Sequence, residues 1–181
     1  MMGFAMTTKT LGGASEALKY PSLKSPTATQ YASDASILPK AYHLLGGKRL
    51  FKHLPSTQAE IHAAAINGIP YSVLLHLTSN TLHLAEEDVA NVLGLSTRTL
   101  RRHKETPDKV MPADLGSKIW QFAEILAKAT EVMGSKEDAE QWMSEAVMGL
   151  DGARPIDLLR TSQGATLVSQ FLERIHYGVY N

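Results

Sequence analysis

The stretch Ser96-Thr-Arg-Thr-Leu-Arg-Arg-His-Lys104 carries four bases and no acid, in a chain whose charges otherwise cancel. Arginine presents a planar fork of donors that fits guanine O6 and N7. Serine and threonine hydroxyls, together with the free N–H groups of a helix start, can hold a phosphate. If this stretch is a helix capped by Ser96, Leu100 faces inward while Thr97, Arg98, Arg101 and Arg102 face out. Ser96, Thr97, Arg98, Arg101, Arg102 and Lys104 are therefore the candidate contacts to DNA. His103 stands where a further apolar residue is expected.

Other chemistry is poorly supported. The seven histidines, at 43, 53, 62, 76, 83, 103 and 176, contain no i, i+4 pair and no His-Glu-x-x-His, so a zinc site is not expected. Glu86-Glu87-Asp88 and Glu137-Asp138 sit at helix starts, where the helix dipole and solvation explain them. Gly12-Gly13 and Gly46-Gly47 lack the strand and helix context of a phosphate loop, and no Gly-x-Ser-x-Gly occurs. The chain is expected to be no enzyme and to need no cofactor or metal.

The basic stretch must be positioned by a partner helix. One is expected from Glu86 to Leu93, its first turn acidic, ended by Gly94 at a left-handed turn. Val89, Leu93, Leu95 and Leu100 then pack the pair onto a core, and Ala90 is small where the helices cross. That is the pattern of a helix-turn-helix, whose second helix enters the major groove. An ordinary helical hairpin with a solvated basic face is the bland alternative.

Punctuation places the remaining elements. A short helix is expected from near Ile37 to Gly46-Gly47. Thr57 and Glu60 form a capping box, Gly68 stops that helix, and Pro70 suits the first turn of the next. Pro107 and Pro112 mark a connection between two halves. Apolar residues from Leu115 to Met133 recur at steps of three and four, which gives an amphipathic helix ended by Gly134. Ser135 opens the next helix, the segment from Gly152 to Pro155 reads as a turn, and Thr161 and Gly164 open the last. No strand alternation appears, so the fold class is all-α.

Composition agrees with a small helical chain. Its 181 residues carry 18 basic and 18 acidic side chains, yet residues 1–53 hold seven bases against two acids. Residues 131–151 hold six acids against the single base Lys136, so charge is segregated along the chain. There is no cysteine, which excludes disulfides and thiolate metal sites and is compatible with a reducing cytoplasm. The uncharged window from Ile61 to Ala85 contains three histidines, a glycine and a proline, and makes a poor membrane span. No secretory signal pattern is seen at the start. Residues 1–36, rich in Ala, Ser, Thr and Gly, read as disordered or loosely attached. Residues 37–112 then form the helix-turn-helix domain and 113–181 a second helical domain.

The second half carries an ordered series of motifs: Ala129-Thr-Glu-Val-Met-Gly134, Ala139-Glu-Gln-Trp142, Leu150-Asp-Gly152-x-Arg-Pro155, Thr161-x-x-Gly164 and Leu172-x-Arg-Ile175-x-Tyr-Gly178-Val-Tyr180. This series resembles the toxin-binding domain of the Xre/MbcA/ParS antitoxins, and residues 48–105 resemble their helix-turn-helix more loosely. Ser144 to Met148 lacks the proline-containing turn frequent in that family, and Trp120 and Gln121 replace its usual aliphatic and basic residues. The resemblance implies a type II antitoxin that inhibits a cognate RES-domain, NAD-degrading toxin. It further implies repression of its own operon through operator DNA, as a homodimer or a higher toxin–antitoxin assembly, with no membrane role. It makes Tyr177, Gly178, Val179 and Tyr180 the segment that blocks the toxin's cleft, and assigns Arg154 and Arg174 to the toxin-binding side. Trp142 is expected in the core. The competing reading is a stand-alone helix-turn-helix regulator whose second domain dimerises or senses a ligand.

Overall fold

A computed structural model describes residues 28–78 and 82–178, with side chains from residue 36 onward. Residues 1–27, and with them most of the segment expected to be disordered, lie outside the described residues, as do Val179 and Tyr180. Within the described residues every regular element is a helix, and the backbone bridges Pro70–Val110 and Val147–Ala153 are isolated. The fold is all-α.

The first helix, α1, spans Ala28–Leu44 and so begins before Ile37, where the apolar pattern starts. Burial of Ile37, Leu38, Ala41, Tyr42 and Leu45 anchors its C-terminal half. Once that half is nucleated, further N-terminal turns add one hydrogen bond per residue fixed, and polar composition does not stop them. Residues 28–36 are therefore helical here.

Helix α2 spans Gln58–Asn67, with the Thr57 hydroxyl accepting from the Glu60 N–H and the Glu60 carboxylate accepting from the Ser56 N–H. Helix α3 spans Ser72–His76. Pro70 does not open it. The flanking residues instead pair with a later loop, Tyr71 N–H donating to the Lys109 carbonyl and Met111 N–H to the Ile69 carbonyl. Helix α4 spans Glu86–Leu93 and α5 spans Thr97–Lys104.

Helix α6, Ala113–Met133, is the axis of the molecule. Buried residues, among them Leu115, Ile119, Trp120, Phe122, Ile125, Leu126 and Ala129, cover most of its circumference, and a polar stripe through Ser117, Gln121, Glu124 and Lys128 is left over, as befits a helix largely enclosed by others. It packs on α1, α2 and α4, and also on α7 (Lys136–Ser144) and α9 (Ser162–His176). Fully buried leucines such as Leu74, Leu100, Leu126 and Leu172 each contribute about 1.5–3 kcal/mol through removal from water. One continuous core runs from Ile37 to Leu172, so the proline-bounded connection before residue 113 does not separate two cores.

The short helix α8, Pro155–Leu158, occupies what reads in sequence as the end of a turn. Arg154, its N-cap residue, donates from Nε and Nη2 to both oxygens of Asp157, at 2.8 and 2.9 Å, and from Nη2 to Asp88 of α4, at 2.9 Å. These contacts hold the guanidinium firmly in its charged form and bolt α8 to the helix-turn-helix. Arg154 thus joins the two halves, with its side chain still 38% exposed. A second tie comes from the buried carboxylate of Glu140 on α7, whose Oε2 accepts from the His83 N–H at 3.1 Å.

Candidate functional site

The helix-turn-helix is built as its residue types require. Val89, Ala90, Val92 and Leu93 of α4 and Leu100 of α5 are buried, and Leu95 is half-buried beneath the turn. Gly94 sits at φ +69°, a conformation that costs a side-chain-bearing residue strain, and its N–H caps α4 on the carbonyls of Ala90 and Asn91. The Ser96 hydroxyl accepts from the Thr99 N–H at 3.1 Å and lies 2.9 Å from the Thr99 hydroxyl. Ser96 is thereby occupied as a helix cap, a role whose loss costs about 0.5–2 kcal/mol.

Arg98, Arg101 and Arg102 stand exposed on the outer face of α5. With Thr97, Thr99 and Glu105 they line a shallow concavity of about 570 Å³. Arg98 and Arg102 make no ion pair among the described residues. Arg101 and Lys104 are engaged differently: Arg101 Nε lies 3.3 Å from Glu86 Oε2, and Lys104 Nζ lies 2.5 Å from Glu86 Oε1. Lys104 and Arg101 together hold the Glu86 carboxyl below its ordinary range. The Lys104 side chain is only 20% exposed, so it is less available to DNA than its position in the basic run implies. Thr99 and Glu105 escape a reading based on basic residues alone.

His103, in the place of an apolar residue, behaves as an aromatic one. Its ring stacks on Tyr71 with centroids 4.0 Å apart and planes 7° from parallel. Burial lowers its pKa, and the positive charges of Arg102 and Lys109 lower it further. A histidine whose pKa is depressed by folding contributes stability that is present at neutral pH and lost as pH falls through its ordinary range. Melting curves of His103→Phe, which keeps the stack and removes the titration, should therefore lose less stability than wild type between about pH 7 and pH 5. Parallel losses in the two proteins would contradict this assignment.

The second half presents a different surface. Phe171 of α9 is half-buried, stacked on Trp142 at 6.3 Å and covered by the Arg174 guanidinium at 5.4 Å from its centroid. Trp142 is half-buried, packed against the core on one side and on Phe171. Gly149 lies directly under Phe171; a Cβ there would stand 2.3 Å from the ring, so only glycine permits the contact. Its neighbour Met148 is 91% exposed, and Leu167, one turn before Phe171, is also exposed. Leu167, Phe171, Arg174 and Tyr177 follow one another at steps of four and three along α9 and form a strip that ends where the helix ends. Tyr177 is 44% exposed, its ring edge-on to His176, and Gly178 takes φ +65° in open space.

Arg174 and Tyr177 thus lie in this exposed strip, whereas Arg154 ties α8 to α4. Met148 and Leu167 were not legible as site residues. The signal for them was the glycine after Met148 and an apolar residue outside the buried Val168–Leu172 stripe. Among the described residues no group of three or more histidines or carboxylates could hold a metal. No helix among them is long and apolar enough to cross a membrane.

Comparison with known proteins matches this division. The model of the antitoxin Xre-like helix-turn-helix domain matches residues 60–124, and that of the antitoxin Xre/MbcA/ParS C-terminal toxin-binding domain matches residues 128–178. The junction between the two matches falls within α6, the helix shared by both halves of the core. The chain is similar to Antitoxin Xre of Photorhabdus laumondii, 26% identical over 125 residues that cover 68% of this chain and 83% of that one. It is 29% identical to Antitoxin Xre of Pseudomonas putida over 120 residues, 66% of this chain and 72% of the relative. A Prs ADP-ribosylating antitoxin of a Sphingobium species is 26% identical over 107 residues, 55% of this chain and 67% of that protein. With an Xre-like helix-turn-helix leading into a toxin-binding domain along one shared helix, the chain belongs to the Xre/MbcA/ParS antitoxin family.

Proposed function

We propose that this chain is a type II antitoxin that inhibits a cognate RES-domain, NAD-degrading toxin in the cytoplasm and represses its own operon. The observation that carries the first part is the exposed strip on α9. Leu167 and Met148 offer apolar surface to a partner, Arg174 rims it, and Tyr177 leads into the tail. Large exposed apolar and aromatic side chains with an arginine beside them are the usual anchors of an interface. The exposed cations of α5 support the second part, and a homodimer would present two such helices to adjacent half-sites.

The Sphingobium relative is named for Prs ADP-ribosylation. Transfer of ADP-ribose also consumes NAD, so the loss of NAD reports either chemistry. The test in cells is co-expression with the toxin encoded beside this chain. Growth arrest by the toxin alone, relieved by the chain, supports the reading. Unrelieved arrest, with both proteins present in the soluble fraction, overturns it and leaves a regulator of DNA alone.

A further inference from the structure

We infer that Glu86 is a specificity-determining residue for DNA: it braces Arg101 for base reading while withdrawing Lys104 from the phosphate backbone. The inference rests on the reading of α5 as the DNA-contacting helix. A single carboxylate on the first turn of α4 reaches across to two cations one turn apart on α5. It treats them unequally. Lys104 is drawn in, 20% exposed and close to Oε1, and its compact charge is largely cancelled. Arg101 is bound through Nε at 3.3 Å, yet its side chain remains 71% exposed and lines the concavity beside Arg98 and Arg102.

Nε is the inner nitrogen of the guanidinium. With the carboxylate held there, the two outer nitrogens make no ion pair among the described residues. Those outer nitrogens make the bidentate contact to guanine O6 and N7. Bracing the fork in advance reduces the side-chain freedom lost on binding. A lysine free on the same face would act oppositely, because an ammonium attracts any phosphate and carries no sequence information. Glu86 therefore favours base reading over charge. Its place is fixed from behind, since Asp88, in the same turn of α4, is held by Arg154 of α8 at 2.9 Å.

The test uses the full chain and two DNA probes: a duplex selected by the wild-type protein from random-sequence DNA, and a scrambled duplex of the same composition. Glu86→Gln keeps the side-chain shape and removes the charge. The preference for the selected duplex should fall about two- to tenfold, the worth of the side-chain freedom that bracing one arginine saves. Binding to the scrambled duplex should strengthen, with a salt slope steeper by about one as Lys104 becomes a phosphate contact. In Glu86→Gln with Lys104→Gln, the slope should return to the wild-type value while the loss of preference persists. A merely structural role for Glu86 would weaken binding to both duplexes in parallel and leave the slope unchanged, and that result overturns the inference. Failure of the wild-type chain to select any sequence would instead overturn the reading of α5 itself, and the inference with it.

Discussion

Replacing Arg98 and Arg102 together by alanine should lower affinity for the operator by about 2–6 kcal/mol, taking about 1–3 kcal/mol for each arginine that reads a base. The size of the effect follows from how little else these side chains do. Leu100 and the stack of His103 on Tyr71 anchor the inner face of α5, the Ser96 cap is untouched, and neither arginine has an ion pair among the described residues. The double variant should therefore melt as the wild type does while its DNA binding collapses. A salt titration separates the two ways the loss can arise. A lost base contact reduces preference between sequences, whereas a lost phosphate contact weakens all sequences and flattens the slope by about one. Wild-type affinity and slope in the double variant would show that α5 is not the DNA-contacting helix.

The second large effect concerns the toxin. Deleting Gly178–Asn181 should restore most of the toxin's NAD consumption while leaving the complex assembled. The last backbone hydrogen bonds of α9 run from Tyr177 to the Glu173 carbonyl and from Gly178 to the Ile175 carbonyl. The deletion removes Gly178 and the uncharged residues Val179-Tyr-Asn181. The deletion leaves the buried Val168 and Leu172 in place, and the strip at Leu167, with the exposed Met148, remains to hold the partner. Charge placed on that strip should do the reverse: Leu167→Asp with Met148→Asp should weaken the complex by about 2 kcal/mol or more, as at other interface hot spots. Binding by calorimetry beside NAD loss distinguishes the two variants. Full inhibition by the truncated chain at saturation would shift the blocking role to the helices themselves.

Much of the fold is legible where local chemistry decides it. Thr57, Ser96, Ser135 and Thr161 each accept from the N–H three residues on, so helix starts written as single polar residues are found where the sequence places them. Gly68, Gly94 and Gly134 likewise mark helix ends. What escapes is decided by partners distant in sequence. The bridge of Pro70 to Val110 diverts a proline that locally suits a helix start. Nothing near Arg154 in sequence announces Asp88, and the arginine of a family motif proves to be a clamp between α8 and α4. His103 looks misplaced until Tyr71 is found stacked on it. The site follows the same rule: basic residues on α5 can be read one by one, but which of them are free depends on Glu86 across the turn.

The activity proposed for this chain is the silencing of a toxin that consumes NAD. The most direct measurement is NAD loss by the purified toxin encoded beside it, titrated with the full chain, with complex formation followed by light scattering. NAD loss should fall linearly to zero at a fixed stoichiometry, and the two proteins should elute as one complex. Undiminished NAD loss at a large excess of the chain, with the two proteins eluting apart, would contradict it.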